Sequence, residues 1–209
     1  HVALRFAATA EHDYNDRFKL LIVPCVSPGA YETINRWNPK ALDPNRSFYQ
    51  NSPVQESAAL MNLVSDIEFL MHIDLHETTD TDNSEFRPAL GARDAVEHKE
   101  WAIPDGFYTV GDTLKPCPEF QKAIIQSVAK ITHIAPADKS GRLIGEILQQ
   151  NGVINYATKA LSLCAGLTDA KFVSTTEVYP DSPKVDAENC IQAQVAAIVG
   201  ALNFVSEHE

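Results

Sequence analysis

Three polar residues with chemical potential, His72, Asp74 and His76, alternate with apolar Phe69, Met71, Ile73 and Leu75. That is the period of a half-buried strand. The run ends at His76-Glu77 and dissolves into Thr78-Thr79-Asp80-Thr81-Asp82-Asn83-Ser84, a polar, acidic loop. A histidine closing a strand at such a loop is where an α/β protein places a metal ligand or a catalytic base. His72 and His76 also form a His-x-x-x-His pair, but the helical zinc-protease motif needs Glu directly after the first histidine, and position 73 is Ile. On a strand four residues span roughly 13 Å, too far for one ion with metal–nitrogen bonds of about 2 Å. At most one of the two rings is a ligand; His76, at the strand end, is the better placed, and His72 reads as structural.

Arg36, Asn45 and Arg46 fall in a segment, 30–52, poor in periodicity and rich in Asn, Pro and Arg. Guanidinium groups clamp carboxylates and stabilise a developing oxyanion. Glu177 follows a strand-like run, Phe172–Thr176, and a carboxylate held dry at a strand end can act as a base near neutral pH. Read on local sequence alone, all of these are equally ordinary surface residues.

The elements that must position them are partly visible. Val2–Ala10 resembles the tail of an amphipathic helix, and Phe18–Val26, continuously apolar with β-branched residues, predicts a buried strand. Ser52 as N-cap, Pro53 at N1 and Gln55 closing a capping box start a helix running to about Phe69. The segment 85–100 is mixed, and a short strand is expected within Ile103–Val110. Phe120, Ile124, Val128 and Ile131 share one face of a helix over Pro118–Ile131; Leu143–Gln150 reads as a short helix, and Val153–Tyr156 as extended or a turn. Lys171–Val178 is a strand. Ile191, Val195, Ile198, Val199, Leu202 and Val205 make the stripe of a final helix, with Asp186 and Glu188 at its N-terminus, where the dipole favours acids. Interleaved strands and helices predict an α/β fold, a central mixed, largely parallel sheet flanked by helices on both faces, in one domain over 1–209.

Composition narrows the function classes. A formal charge of −11 argues against nucleic acid and anionic membrane surfaces, both of which need basic patches. No apolar run long enough to cross a membrane is evident, and no basic leader. Cys25, Cys117, Cys164 and Cys190 lack Cys-x-x-Cys spacing, so structural zinc and disulfides are not expected, which favours a cytoplasmic location.

Taken in order, the Ser27-Pro28-Gly29 turn, Arg36-Trp37-Asn38, Asp43-Pro44-Asn45-Arg46-Ser47-Phe48, Asp74-Leu75-His76 and Thr175-Thr176-Glu177 before a terminal helix resemble the zinc metallocarboxypeptidases, the carboxypeptidase A-like enzymes and their aspartoacylase-like relatives. The resemblance runs from about Phe18 to the C-terminus. It implies a Zn2+ cofactor with His76 as one ligand and Asp43 as the partner of a zinc-bound histidine. It implies further that Arg36 polarises the scissile carbonyl, that Asn45 and Arg46 bind a substrate's free carboxylate, and that Glu177 is the general base. Tyr156 corresponds to a pocket wall, and the family's mobile capping tyrosine has no clean match. The substrate implied is a peptide or N-acyl amino acid with a free carboxylate, cleaved by a carboxypeptidase or a deacylase; a non-catalytic, metal-free relative that keeps the carboxylate clamp is the other reading. Ser27 and Pro44 stand where the family more often has Asn and Leu or Ala. None of the seven histidines is followed by Glu three residues on, so the family's His-x-x-Glu zinc motif is missing. That shortfall implies either a piece of a longer polypeptide, its two other ligands ahead of His1, or an inactive relative.

Overall fold

The structure, a computed structural model, describes residues 1–97 and 102–209. His98 and the end of the 85–100 segment lie outside the described residues. In chain order the main elements are α1 (Val2–Tyr14), α2 (Pro28–Thr33), α3 (Gln55–Val64), β1 (Met71–Glu77), α4 (Arg87–Asp94), β2 (Tyr108–Asp112), α5 (Pro118–Val128), β3 (Arg142–Leu143), β4 (Glu146–Ile147), β5 (Val153–Tyr156), β6 (Phe172–Val178) and α6 (Ala187–His208). Short helical turns at Pro44–Arg46, Asp82–Phe86 and Cys164–Gly166 connect them.

A four-stranded sheet runs in the order β1-β6-β2-β5. β1 is parallel to β6 and β2 to β5, while β2 and β6 are antiparallel, so the sheet is mixed and mostly parallel. On one face lie α1, α5 and α6, bringing Phe120, Ile124, Val128, Ala193, Ala197, Ala201 and Val205 against Phe172 and Val178. Strand alternation then turns His72, Asp74 and His76 of β1, and Val173, Thr175 and Glu177 of β6, to the opposite face. That face is covered by the turn Cys164–Gly166, which contacts both strands. Behind it, Asn45 Oδ1 accepts a hydrogen bond from the Cys164 amide at 3.0 Å, and α3 leans on the Pro44–Arg46 turn through Ser57 Oγ, which donates to the Pro44 carbonyl at 2.8 Å.

α6 starts where Asp186 accepts from the Asn189 amide at 2.8 Å, a side-chain N-cap. Its 22 residues and mean hydropathy of 1.3 over its best window suffice by length and composition to cross a membrane. It is nonetheless the central core helix, packed on α5, α1 and the sheet. The α5–α6 crossing is close: Ser127 Oγ donates to the Ala196 carbonyl at 2.8 Å, and a Cβ on Gly200 would sit 2.6 Å from Ser127 Cβ. Gly200→Val is therefore expected to cost about 1–3 kcal/mol by forcing the helices apart. An unchanged urea midpoint would refute that.

Several expected elements differ. No strand forms at Phe18–Val26. A strand needs a ladder partner, β1 pairs only with β6 among the described residues, and the run instead packs Phe18 and Ile22 against the cluster of Phe6, Ala10, Tyr14, Ile198 and Leu202 that Met71 and Ile73 also join, while Leu20, Leu21 and Val23 stay exposed. The capping box at Ser52 does not form; Ser52 Oγ accepts from the Val54 amide at 3.3 Å and the helix begins at Gln55. It stops at Val64 rather than Phe69, since Asp66 and Glu68 would place negative charge at the negative end of its dipole. Leu143–Gln150 is not a helix but part of a β3–β4 hairpin. Ile144 and Gly145 are both left-handed, with φ of 43° and 88°, which is the two-residue turn that joins antiparallel strands. β2 starts at Tyr108, inside the expected span, and runs past it to Asp112, and α1 continues to Tyr14.

Candidate active site

The C-terminal ends of β1 and β6 and the start of β2 meet at one rim. In register, His76 faces Glu177 across β1 and β6, and Glu177 faces Tyr108 across β6 and β2. α6 secures this row from beneath. Gln194 Nε2 donates to the His76 carbonyl at 2.7 Å, and its Oε1 accepts from the Thr176 hydroxyl. A buried glutamine with both ends satisfied is a rigid strut.

His76 Nε2 lies 2.9 Å from Asp74 Oδ2, two residues back on the same strand face. Burial alone would lower the pKa of His76, but the attraction and hydrogen bond of Asp74 outweigh it, with Glu177 adding to the rise, and lift it to about 9. Asp74 is burdened by burial in the opposite sense, and the two flanking histidines hold it below the ordinary carboxylate value. Glu177 has its pKa pushed up to about 7 by burial, against the pull of His76, the Thr78 hydroxyl and Arg36. Thr78 Oγ1 donates to Glu177 Oε2 at 3.1 Å and lies 2.8 Å from the Tyr108 hydroxyl. His72 packs apart, its Nδ1 3.1 Å from Thr168 Oγ1, and burial lowers its pKa against the opposing pull of Asp74.

The irregular segment and the loop after β1 close over this row. Arg36 is held by three anchors: Nη1 on Asp82 at 3.1 Å, Nε 3.6 Å from Asp43, and its guanidinium stacked 3.9 Å from the centre of the Phe86 ring. Its charge acts on both His76 and Glu177. Asp43 gathers its own turn, accepting from the Asn45 amide at 3.0 Å and from Arg46 Nη1 at 2.9 Å. Asp43 thus joins Arg36 to Arg46, while Asn45 uses its side-chain oxygen on Cys164. Tyr156, at the end of β5, has its phenol pushed up to about 12 by burial and by Glu146 and Glu177, against Arg46 and Arg87. It stays a proton donor at neutral pH.

Arg36, Asp43, Arg46, His76, Tyr156 and Glu177 therefore share one electrostatic neighbourhood, with Asn45 at its edge. Sequence reasoning gave no role to Asp74, although its spacing from His76 on a strand is itself a signal. It also passed over Asp82 in the acidic loop after β1, Phe86 and Arg87 in the mixed segment and Tyr108 on β2. A catalytic zinc needs three protein ligands and an open position. Among the described residues no group of three His, Cys, Asp or Glu side chains comes together for a metal. Asp74 and Thr78 occupy the atoms of His76 and Glu177 given above, so these residues offer His76 as one ligand and do not by themselves make a zinc site.

No protein-family model and no curated protein matches the sequence. Solved structures resemble the fold, two of them as follows. One, from Shewanella denitrificans OS217, is provisionally named a metallopeptidase; it superimposes with a TM-score of 0.57 at 17% identity, over 87% of this chain and 60% of its own. A second, from Shewanella amazonensis SB2B and with the same provisional name, gives 0.51 at 17% identity, over 87% of this chain and 62% of its own. The chain thus spans about three-fifths of the length of both and shares their fold.

Proposed function

We propose that this chain carries most of the active site of a metal-dependent hydrolase that cleaves an amide bond next to a free carboxylate. The observation that supports it best is the row of His76 beside Glu177 under the Arg36–Asp43–Arg46 chain, with Tyr156 in the same field. Zinc, if it is the ion, would take His76 and further donors beyond the described residues; when bound it would supply an acidified water and a polarised carbonyl. The chain's own residues do the rest. Glu177, with a pKa near neutrality, takes the proton of the attacking water and returns it to the leaving amine. Arg36, locked between Asp82 and Phe86, faces developing negative charge on the carbonyl oxygen without needing to reorganise. Arg46 and Asn45 hold the substrate's carboxylate, and Asp74 fixes the His76 ring.

The test compares an N-acyl dipeptide with its C-terminal amide. The free acid is expected to be cleaved and the amide left intact. Arg46→Gln should raise KM for the acid about tenfold or more at nearly constant kcat, and a chelator should stop turnover. Equal cleavage of acid and amide refutes the carboxylate clamp. Turnover of N-acyl amino acids alone moves the reading to a deacylase, and no turnover of either class removes the hydrolase.

A further inference from the structure

The hydroxyl relay behind Glu177 has a direction that the proton count fixes. An ionised carboxylate only accepts, so at the 3.1 Å contact Thr78 Oγ1 must donate to Glu177 Oε2. A threonine hydroxyl carries a single proton, so at the 2.8 Å contact with Tyr108 the phenol must be the donor. Burial holds that phenol protonated, well above its ordinary range. Each member is fixed independently. Tyr108 is 1% exposed on β2 and stands opposite Glu177 in the ladder. Thr78 is 7% exposed, and its amide donates to the Val178 carbonyl at 2.9 Å, which continues the β1–β6 pairing one step past β1. Because side chains alternate, residue 78 shares the strand face of residue 76.

We propose that Thr78 is a positioning residue which, held by Tyr108, ties down Oε2 of Glu177 and leaves Oε1 as the atom that takes and returns the proton. This rests on the reading of Glu177 as general base. A carboxyl group held by one oxygen cannot swing about its last bond, so the other oxygen keeps a fixed line to the reacting water. Loss of that alignment acts on the reaction step and not on substrate capture.

The experiment measures kcat and KM for Thr78→Val, Thr78→Ser and Tyr108→Phe with the N-acyl dipeptide. Thr78→Val keeps the shape and removes the hydroxyl; it is expected to lower kcat by about 10- to 100-fold with KM within about twofold. Thr78→Ser should restore kcat to within a few-fold. Adding Tyr108→Phe to Thr78→Val should cost nothing further, because the relay is already broken. A second readout needs no turnover: the infrared C=O band of protonated Glu177, identified by difference against Glu177→Gln, should move to higher frequency in Thr78→Val and stay in place in Thr78→Ser. Unchanged kcat in Thr78→Val, equal losses in Val and Ser, or an unmoved band would each overturn the proposal. If the wild-type protein cleaves no amide, the hydrolase reading fails separately, and the infrared band still decides whether Thr78 holds Glu177.

Discussion

Glu177→Gln is expected to lower kcat for the N-acyl dipeptide by about 10²- to 10⁴-fold with little change in KM, the range over which a positioned general base acts. Glutamine has the same shape and keeps an oxygen that can accept from Thr78, so what is lost is the proton-carrying step. In the unsubstituted protein the base must be ionised to work, and its pKa of about 7 makes activity rise with pH through about 7. The same shift has a cost in stability. A carboxyl whose folded pKa lies above its unfolded value binds more protons when folded between the two, so folding weakens as pH climbs from about 4.5 through about 7. Glu177→Gln should therefore raise the melting temperature at pH 8 and leave it unchanged at pH 4. A variant that keeps full kcat, or gains no stability at pH 8, would remove Glu177 from the role of dry base.

The second large effect is expected at Asp74. Asp74→Ala strips the partner from His76 inside the fold, and removing one half of a buried ion pair costs about 3–5 kcal/mol. The His76 side chain keeps 25% of its surface exposed, which favours the lower end, about 3 kcal/mol. For a domain of this size that corresponds to a melting temperature lower by roughly 6–12 °C. The pH dependence in metal-free protein follows from both partners. The share carried by His76, whose pKa is raised to about 9, is complete below about 6.5 and is lost as pH rises through 9. The share carried by Asp74, held below its ordinary value, is present above about 4 and is lost as pH falls through its lowered folded pKa. Asp74→Asn, which keeps a hydrogen-bond acceptor for the imidazole, should recover part of the loss. An Asp74→Ala protein with unchanged melting at pH 7 would show that the pair contributes nothing.

Where the local pattern and the tertiary role agree, the sequence was readable. β1 and β6 follow from alternation, and α6 from a clean stripe with an acidic cap. Local pattern failed where pairing decides the outcome. Phe18–Val26 has the composition of a buried strand, yet composition carries no information about a partner. Leu143, Ile144, Ile147 and Leu148 mimic a helical face, and only the left-handed Ile144-Gly145 turn reveals the hairpin. For the site, residue types and order pointed to His76, Arg36, Arg46 and Glu177, because each sits at an element end or in an irregular segment. Thr78 and Tyr108 were invisible for a different reason. Their bond exists only because β2 runs antiparallel to β6, and nothing in the residues around Tyr108 announces that direction.

The pairing of His76 with Glu177 and of Glu177 with Tyr108 makes the strand ladder a ruler for the chemistry. Alignment on such a ruler is digital. Sliding β6 by one residue against its neighbours would not displace Glu177 slightly; it would turn the carboxylate to the helix side and present Thr176 or Val178 in its place. Loops can drift by fractions of an ångström over generations and be repaired one contact at a time. A site written across three paired strands is either in phase or absent, and the backbone hydrogen bonds that keep it in phase belong to no catalytic side chain.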